Sequence, residues 1–485
     1  MGSTLLALGE VIALGIGVAL SASIFTASES LAIVLSMMVA YLVPRFVYSQ
    51  SKLACRWGQW LLLIVATAMT VYVLFYLKSI TIDTGETLEM PTMHNDDSKY
   101  YQWALANYDG RCPEPKVLYQ GVPLIMLGLW KLFGVSVVWP VALNLMFTLL
   151  TIVLTGKIAN RMLSNRFESI TPSTVAAVAM LMVSLLGFLM SQGVRIQKEA
   201  SCSFSFVLVG YALAGMSQPA LSKKEKNRDM LLFLLGTLLM SLVRTNFVYF
   251  FAIGAVMMAF ANHCAQWKRC TLLAVLAFGF TFLFNFIFDY TIEHQYILIN
   301  GGEAMARDFK IGTAQQPYVS LFGDYYYSHM WERILLLPLT MGVQYVIPFP
   351  WLYDYSDATV FSLLPRMRLM WYIAGGACIF YYLYICVLSF SKKIQISTLG
   401  LWAWWPFVTF MLMSYITGGL VSRYTLPIQP LFVVVALYVF LHLKEGHFRR
   451  SFTVWMIVYF FILVATLIFS YHTQLGYLRS LNILH

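Results

Sequence analysis

Residues 58–77 read GQWLLLIVATAMTVYVLFYL, an uncharged and almost continuously apolar run. At about 1.5 Å per residue it makes a helix of roughly 30 Å, the thickness of a bilayer's hydrocarbon core. It lacks the apolar–polar alternation of a barrel strand, and no turn residues recur every ten positions. A helix is the spanning element that satisfies all of its own backbone groups in hydrocarbon.

Similar runs lie at 5–22, 30–48, 137–156, 174–193, 200–217, 230–243, 246–262, 270–288, 369–390, 398–417, 425–443 and 453–471. The reading is therefore an all-α polytopic membrane protein with about 13 transmembrane helices, residues 1–485 forming a single transmembrane domain. Composition agrees: 60% of residues are hydrophobic and 11% charged, against about 25% charged in soluble globular domains. The first run has no basic segment before it, which suits a retained helix and not a cleaved signal peptide. No internal repeat or low-complexity stretch is present.

The net charge of +10 does not point to nucleic acid, because the basic residues sit in short clusters between apolar runs. Arg45/Lys52/Arg56, Lys157/Arg161/Arg166, Lys223/Lys224/Lys226/Arg228, Lys268/Arg269, Lys392/Lys393 and Lys444/Arg449/Arg450 all fall on one side. That side carries 17 basic residues against four acids, and the other 15 against 17. The first side is expected to be the cytoplasm, with the N-terminus inside. Under this scheme 121–134 (GVPLIMLGLWKLFG) is an outer interfacial helix with Lys131 snorkelling. By the same logic 334–350 is re-entrant or interfacial. Two large outer segments result, 78–136 and 289–368, and they hold most of the polar and charged residues. Seven dispersed cysteines imply neither a disulfide framework nor a metal set.

The first outer segment contains His94-Asn95-Asp96-Asp97-Ser98-Lys99-Tyr100-Tyr101. Asn95 or Asp96 suits a helix cap, with the helix beginning near Ser98 and Tyr101, Ala104 and Leu105 on one face. Near a membrane, a carboxylate beside a like-charged neighbour has its pKa raised and can serve as a general base. The plainer reading makes Asp96 and Asp97 a cap and a solvated charge. His94 either assists the base, joins a metal site, or is an ordinary loop histidine.

Four basic residues fall at outer span ends: Arg195, Lys198, Arg244 and Arg423. Charges at membrane depth are costly and mark a function or a partner. Arginine grips phosphate bidentately and lysine acts as a point charge, so the set suits a lipid phosphate. Interfacial anchoring, or pairing with Glu199, is the plainer alternative.

The acidic pair followed by Tyr100-Tyr101, then Val122-Pro123-Leu124 opening an apolar helix, then Phe133-Gly134 before a span, resembles the GT-C superfamily. Lys198-Glu199 and Arg423-Tyr424 followed by Leu426-Pro427 are similar to further features of that superfamily. Its members, among them the aminoarabinose transferases and protein O-mannosyltransferases, are multi-spanning glycosyltransferases that use lipid-linked sugars. Val122 stands where the usual pattern has a first proline, and more than one span precedes the first large outer loop where many members have one.

The resemblance implies a polyprenyl-phosphate sugar donor, a lipid, glycan or protein acceptor, and an inverting displacement at the outer face of the membrane; the chain's size and the absence of glycosylation-rich loops suit a bacterial inner membrane. Asp96 or Asp97 is then the base. Arg195, Lys198, Arg244, Arg423 and Tyr424 hold the donor phosphate, with His94, Tyr100 and Glu199 in support. No cofactor is required, although the acidic pair with His94 would admit a divalent metal. Two other classes fit the same topology. An O-antigen ligase or polymerase would use pyrophosphate-linked glycans and concentrate its residues in 289–368. A transporter or flippase would place charges midway through several spans, where little besides Glu10 is found.

Overall fold

The structure, a computed structural model, describes residues 2–84, 96–110, 121–167, 170–216, 218, 222–260, 267–300, 329, 331–346, 368–390, 398–417 and 425–480. Every regular element among them is helical. α1 (Gly2–Ile24), α2 (Ala27–Ser49) and α3 (Arg56–Thr84) are followed by α4 (Asp96–Tyr108) and α5 (Gly121–Phe133). Next come α6 (Val138–Leu163), α7 (Pro172–Ser184), α8 (Gly187–Gln192) and α9 (Glu199–Met216). α10 (Lys223–Arg244), α11 (Val248–Phe260) and α12 (Trp267–Asn300) continue the chain. α13 (Glu332–Val346), α14 (Leu369–Phe390), α15 (Thr398–Thr417), α16 (Gln429–Lys444) and α17 (Arg449–Ser480) complete it.

Nine helical stretches among the described residues are long and apolar enough to cross a bilayer. The protein is a polytopic membrane protein. The difference from thirteen has identifiable sources. The runs at 230–243 and 246–262 form one stretch, Lys223–Phe260, joined by a short 3-10 turn at Thr245–Phe247. The run at 174–193 breaks after Ser184, leaving α7 with 13 residues, about 20 Å and short of a crossing. The run at 398–417 is helical, but its apolar part, Leu401–Ile416, is among the shorter helices. The run at 453–471 lies within α17.

The chain folds into two compact units, one of residues 1–184 and 189–316, the other of 185–188 and 317–485. In the first unit α9 is enclosed, packing along α6 and α10. Its sequence, EASCSFSFVLVGYALAGM, is rich in small residues, which let helix backbones approach closely where no hydrophobic effect drives association. Ser203 and Ser205 bond back to the carbonyls of Glu199 and Ser201, each at 2.8 Å, so their hydroxyls need no partner on a neighbouring helix. α10 opens with a capping box: Ser222 accepts from the Glu225 amide, and the Ser222 amide donates to the Glu225 carboxylate at 3.0 Å.

Two ion pairs tie helices of this unit together. Glu10 of α1 pairs with Arg45 of α2 and accepts from the Tyr41 hydroxyl at 2.7 Å. Arg161 of α6 and Asp229 of α10 form a two-bond ion pair, 2.8 and 3.3 Å. In the second unit α14 packs on α16 and α13 on α15. Trp371, Phe410 and Phe432 meet edge to face there, with centroids 5.4–6.5 Å apart.

Candidate active site

The acidic helix expected near Ser98 is present as α4, which begins two residues earlier, at Asp96. Its first turn meets the end of α3 and the irregular segment that precedes α9. Asp97 is 5% exposed. The Tyr76 hydroxyl donates to its Oδ2 at 3.2 Å, and Gln197 Nε2 donates to its Oδ1 at 2.5 Å. Each carboxylate oxygen therefore keeps accepting capacity.

Burial is the largest influence on this carboxyl and raises its pKa from 3.8 to about 6. The Gln197 bond, the Arg195 charge and the Tyr76 bond oppose that rise, and the Glu199 charge adds to it. Desolvation thus wins over a nearby arginine, because the ionised form loses more hydration than its donors return. A carboxyl poised near 6 is mostly ionised at neutral pH and still basic enough to take a proton.

Arg195, Gln197 and Lys198 sit on non-helical backbone, so something must hold that backbone in place. Asn144 of α6 does so: its Nδ2 donates to the carbonyl of Arg195 at 2.6 Å and to that of Gln197 at 2.9 Å. These carbonyls precede α9 and have no place in its ladder, so one buried amide satisfies two acceptors otherwise left bare. Asn144→Ala is expected to destabilise the fold by about 1–3 kcal/mol and to lower activity by loosening Gln197. A thermal unfolding curve beside an activity assay checks both.

The Arg195 charge bears on Tyr72, Tyr76 and Asp97 alike. Its Nε is buried and makes no hydrogen bond among the described residues. Lys198 and Glu199 are buried, 6% and 1% exposed. Their charges and that of Arg244 all reach Cys202 in the first turn of α9. Arg244 closes α10 at the 3-10 turn and lies over the Phe247 ring, 4.2 Å from its centroid. Glu199 occupies the N-terminal turn of α9, where the helix dipole favours negative charge.

Of the residues singled out from sequence, Asp97, Arg195, Lys198, Glu199 and Arg244 gather around the start of α9. Tyr100 is buried in α4, 2% exposed. Asp96 opens α4, and its side chain is outside the described residues, as are His94, Arg423 and Tyr424. Tyr72, Tyr76, Asn144 and Gln197 were not singled out. Tyr72 and Tyr76 stand four apart at the end of an apolar helix, a spacing that puts both hydroxyls on one face. Gln197 lies between the two basic residues that were noticed.

A separate cleft of about 340 Å³ runs between α1, α2 and α3, with Glu10, Tyr41 and Thr67 among its few polar linings. Asp97, Arg195 and Gln197 do not line it, and the acidic site is distinct from it. No family model matches this chain, and no curated protein matches it.

Proposed function

We propose that the protein is an inverting glycosyltransferase of the GT-C kind. It moves a sugar from a polyprenyl-phosphate donor to a hydroxyl of a lipid, glycan or protein acceptor. The reaction takes place at the outer face of a bacterial inner membrane, with the N-terminus in the cytoplasm. The observation that carries this reading is the buried Asp97 carboxyl, raised to about 6, with Arg195 close enough to act on it and the Arg195 Nε unmatched. A tuned base beside a cation is the pair that this displacement needs.

In the proposed step Asp97 takes the proton of the acceptor hydroxyl. The freed oxygen attacks the anomeric carbon, and the bond from that carbon to the phosphate oxygen breaks on the opposite face. The polyprenyl phosphate leaves as an anion. The transition state has oxocarbenium character, as in an inverting glycosidase with a hydroxyl replacing water. Arg195, Lys198 and Arg244 meet the departing charge, so the leaving group needs no proton. Gln197 and Tyr76 orient the base. In this reading Asp96 supports the base, and Arg423 and Tyr424 complete the phosphate site.

The test is transfer by purified protein from a panel of radiolabelled polyprenyl-phosphate sugars, with pyrophosphate-linked glycans as a second panel. Transfer from the first panel alone supports the proposal. Transfer only from the second identifies a ligase or polymerase. Arg195→Ala is expected to raise KM for the donor about 10–100-fold, the worth of one or two charge-assisted bonds. Steady-state kinetics with varied donor measures this.

A further inference from the structure

In the second unit, three metal-ligating side chains converge where α16 ends. Gly446, with φ +93, takes the left-handed conformation that closes this helix. The Gly446 amide donates to the Leu443 carbonyl at 3.1 Å, and the His447 amide to the His442 carbonyl at 3.0 Å. This pair of bonds is the Schellman arrangement. It brings a residue of the last turn alongside the residue five positions later, the second past the cap, commonly through an apolar contact. Here both are histidines, their rings 5.4 Å apart and near-perpendicular at 86°. Glu445 stands three residues after His442, on the same face, with its Oε2 4.0 Å from His442 Nδ1. One ligand atom from each of the three lies within 4.8 Å of the others.

The turn is held before any ligand arrives. Phe448 adopts φ 43, a conformation uncommon for a bulky residue. Its ring packs on Phe380 and Tyr384 of α14, at 5.9 and 5.0 Å. The His442 ring sits between Tyr438 and Phe448, at 4.5 and 5.4 Å. The Arg449 guanidinium donates to the carbonyls of Leu443 and Lys444 at 3.0 and 3.4 Å. The backbone of the turn and the His442 ring are thus fixed in advance, and these lose little freedom on coordinating an ion.

We propose that His442, Glu445 and His447 bind a late first-row transition-metal dication, foremost Zn²⁺, clipping the turn between α16 and α17. Two imidazoles and one carboxylate suit a borderline-soft ion and leave a fourth position for water. Mg²⁺ and Ca²⁺, which take oxygen ligands, do not fit. Lys444, Arg449 and Arg450 flank the site and repel a cation. Affinity therefore comes from inner-sphere bonds, and it should rise with ionic strength as that repulsion is screened. The site is independent of the proposed sugar transfer.

The experiment uses the full-length protein without a histidine tag, chelator-treated in detergent and titrated with Co²⁺. Wild type is expected to develop the visible d–d bands of a four-coordinate ion at one equivalent, and Zn²⁺ should displace them. Zn²⁺ should also raise its Tm. Affinity should weaken about 100-fold or more in His447→Ala, a loss at least as large as that from second-shell changes. Glu445→Gln, with the carboxylate charge removed and the shape kept, should lose the Tm rise. Both positions are exposed, so the variants are expected to fold. Absence of the bands in wild type, or bands and a Tm rise that persist in both variants, overturns the proposal.

Discussion

Asp97→Asn is expected to reduce sugar transfer by about 10²–10⁴-fold, the usual contribution of a positioned general base. Wild-type kcat/KM should fall on the acid side with an apparent pKa near 6, because burial holds the carboxyl at about 6 and only its ionised form takes a proton. The acid limb should be absent from whatever activity the variant retains. Stability supplies an independent readout. A carboxyl raised from 3.8 to about 6 on folding stabilises the folded state at low pH, and this contribution is lost as pH rises through that window. At pH 8 the wild type thus keeps an ionised, desolvated group at a cost of ~3 kcal/mol. Asparagine carries no charge there and keeps one oxygen to accept from Gln197 or Tyr76. The variant should therefore be inactive without being less stable, and less dependent on pH between about 4 and 6. Activity that survives this change would remove Asp97 from the chemistry and direct attention to Asp96.

The second large effect concerns stability. Asp229→Ala is expected to destabilise the protein by about 3–5 kcal/mol, because it leaves the Arg161 charge buried without its partner. The carboxylate is fully buried and the guanidinium 9% exposed. Arg161 is tied on every side: it donates to the Tyr211 carbonyl at 3.0 Å, lies over the Tyr211 ring at 4.4 Å, and its own carbonyl accepts from Gln218. Replacing both partners, as in Arg161→Met with Asp229→Leu, should cost far less than either single change, since no unpaired charge remains. Gly215 guards the same lock. A Cβ there would press on the Asp229 carboxylate and lie 2.5 Å from Arg161 Nη1, so Gly215→Ala should behave like a broken pair. Thermal unfolding of Asp229→Ala, the double variant, its two single changes and Gly215→Ala in one detergent distinguishes these outcomes.

The helices were readable because hydropathy is a local property. The runs at 369–390 and 398–417 coincide with α14 and α15, and the segment expected at 121–134 is helical as α5. Their ends were less readable. α3 continues to Thr84, past the apolar run that stops at Leu77. Hydropathy marks where hydrocarbon ends, whereas a helix continues into Lys78, Ser79 and Asp83 for as long as its own hydrogen bonds hold. The break after Ser184 likewise leaves no mark in a run that stays apolar through 189.

Sequence by itself determined that this chain is helical and built for a bilayer. It also identified the residues that carry unusual charge: Asp97, Arg195, Lys198, Glu199 and Arg244. Apolar length and charge placement depend only on neighbours along the chain. The tertiary structure decided which of those charges meet. Tyr76, Asp97, Asn144 and Gln197 come from three helices and the irregular segment before α9, as far as 121 residues apart in the chain. No local pattern records that Gln197 and not Lys198 bonds the carboxylate, or that Arg161 belongs to Asp229 and not to the surface. Those partnerships follow from how α6, α9 and α10 pack, and packing sets the burial on which each charge's energy depends.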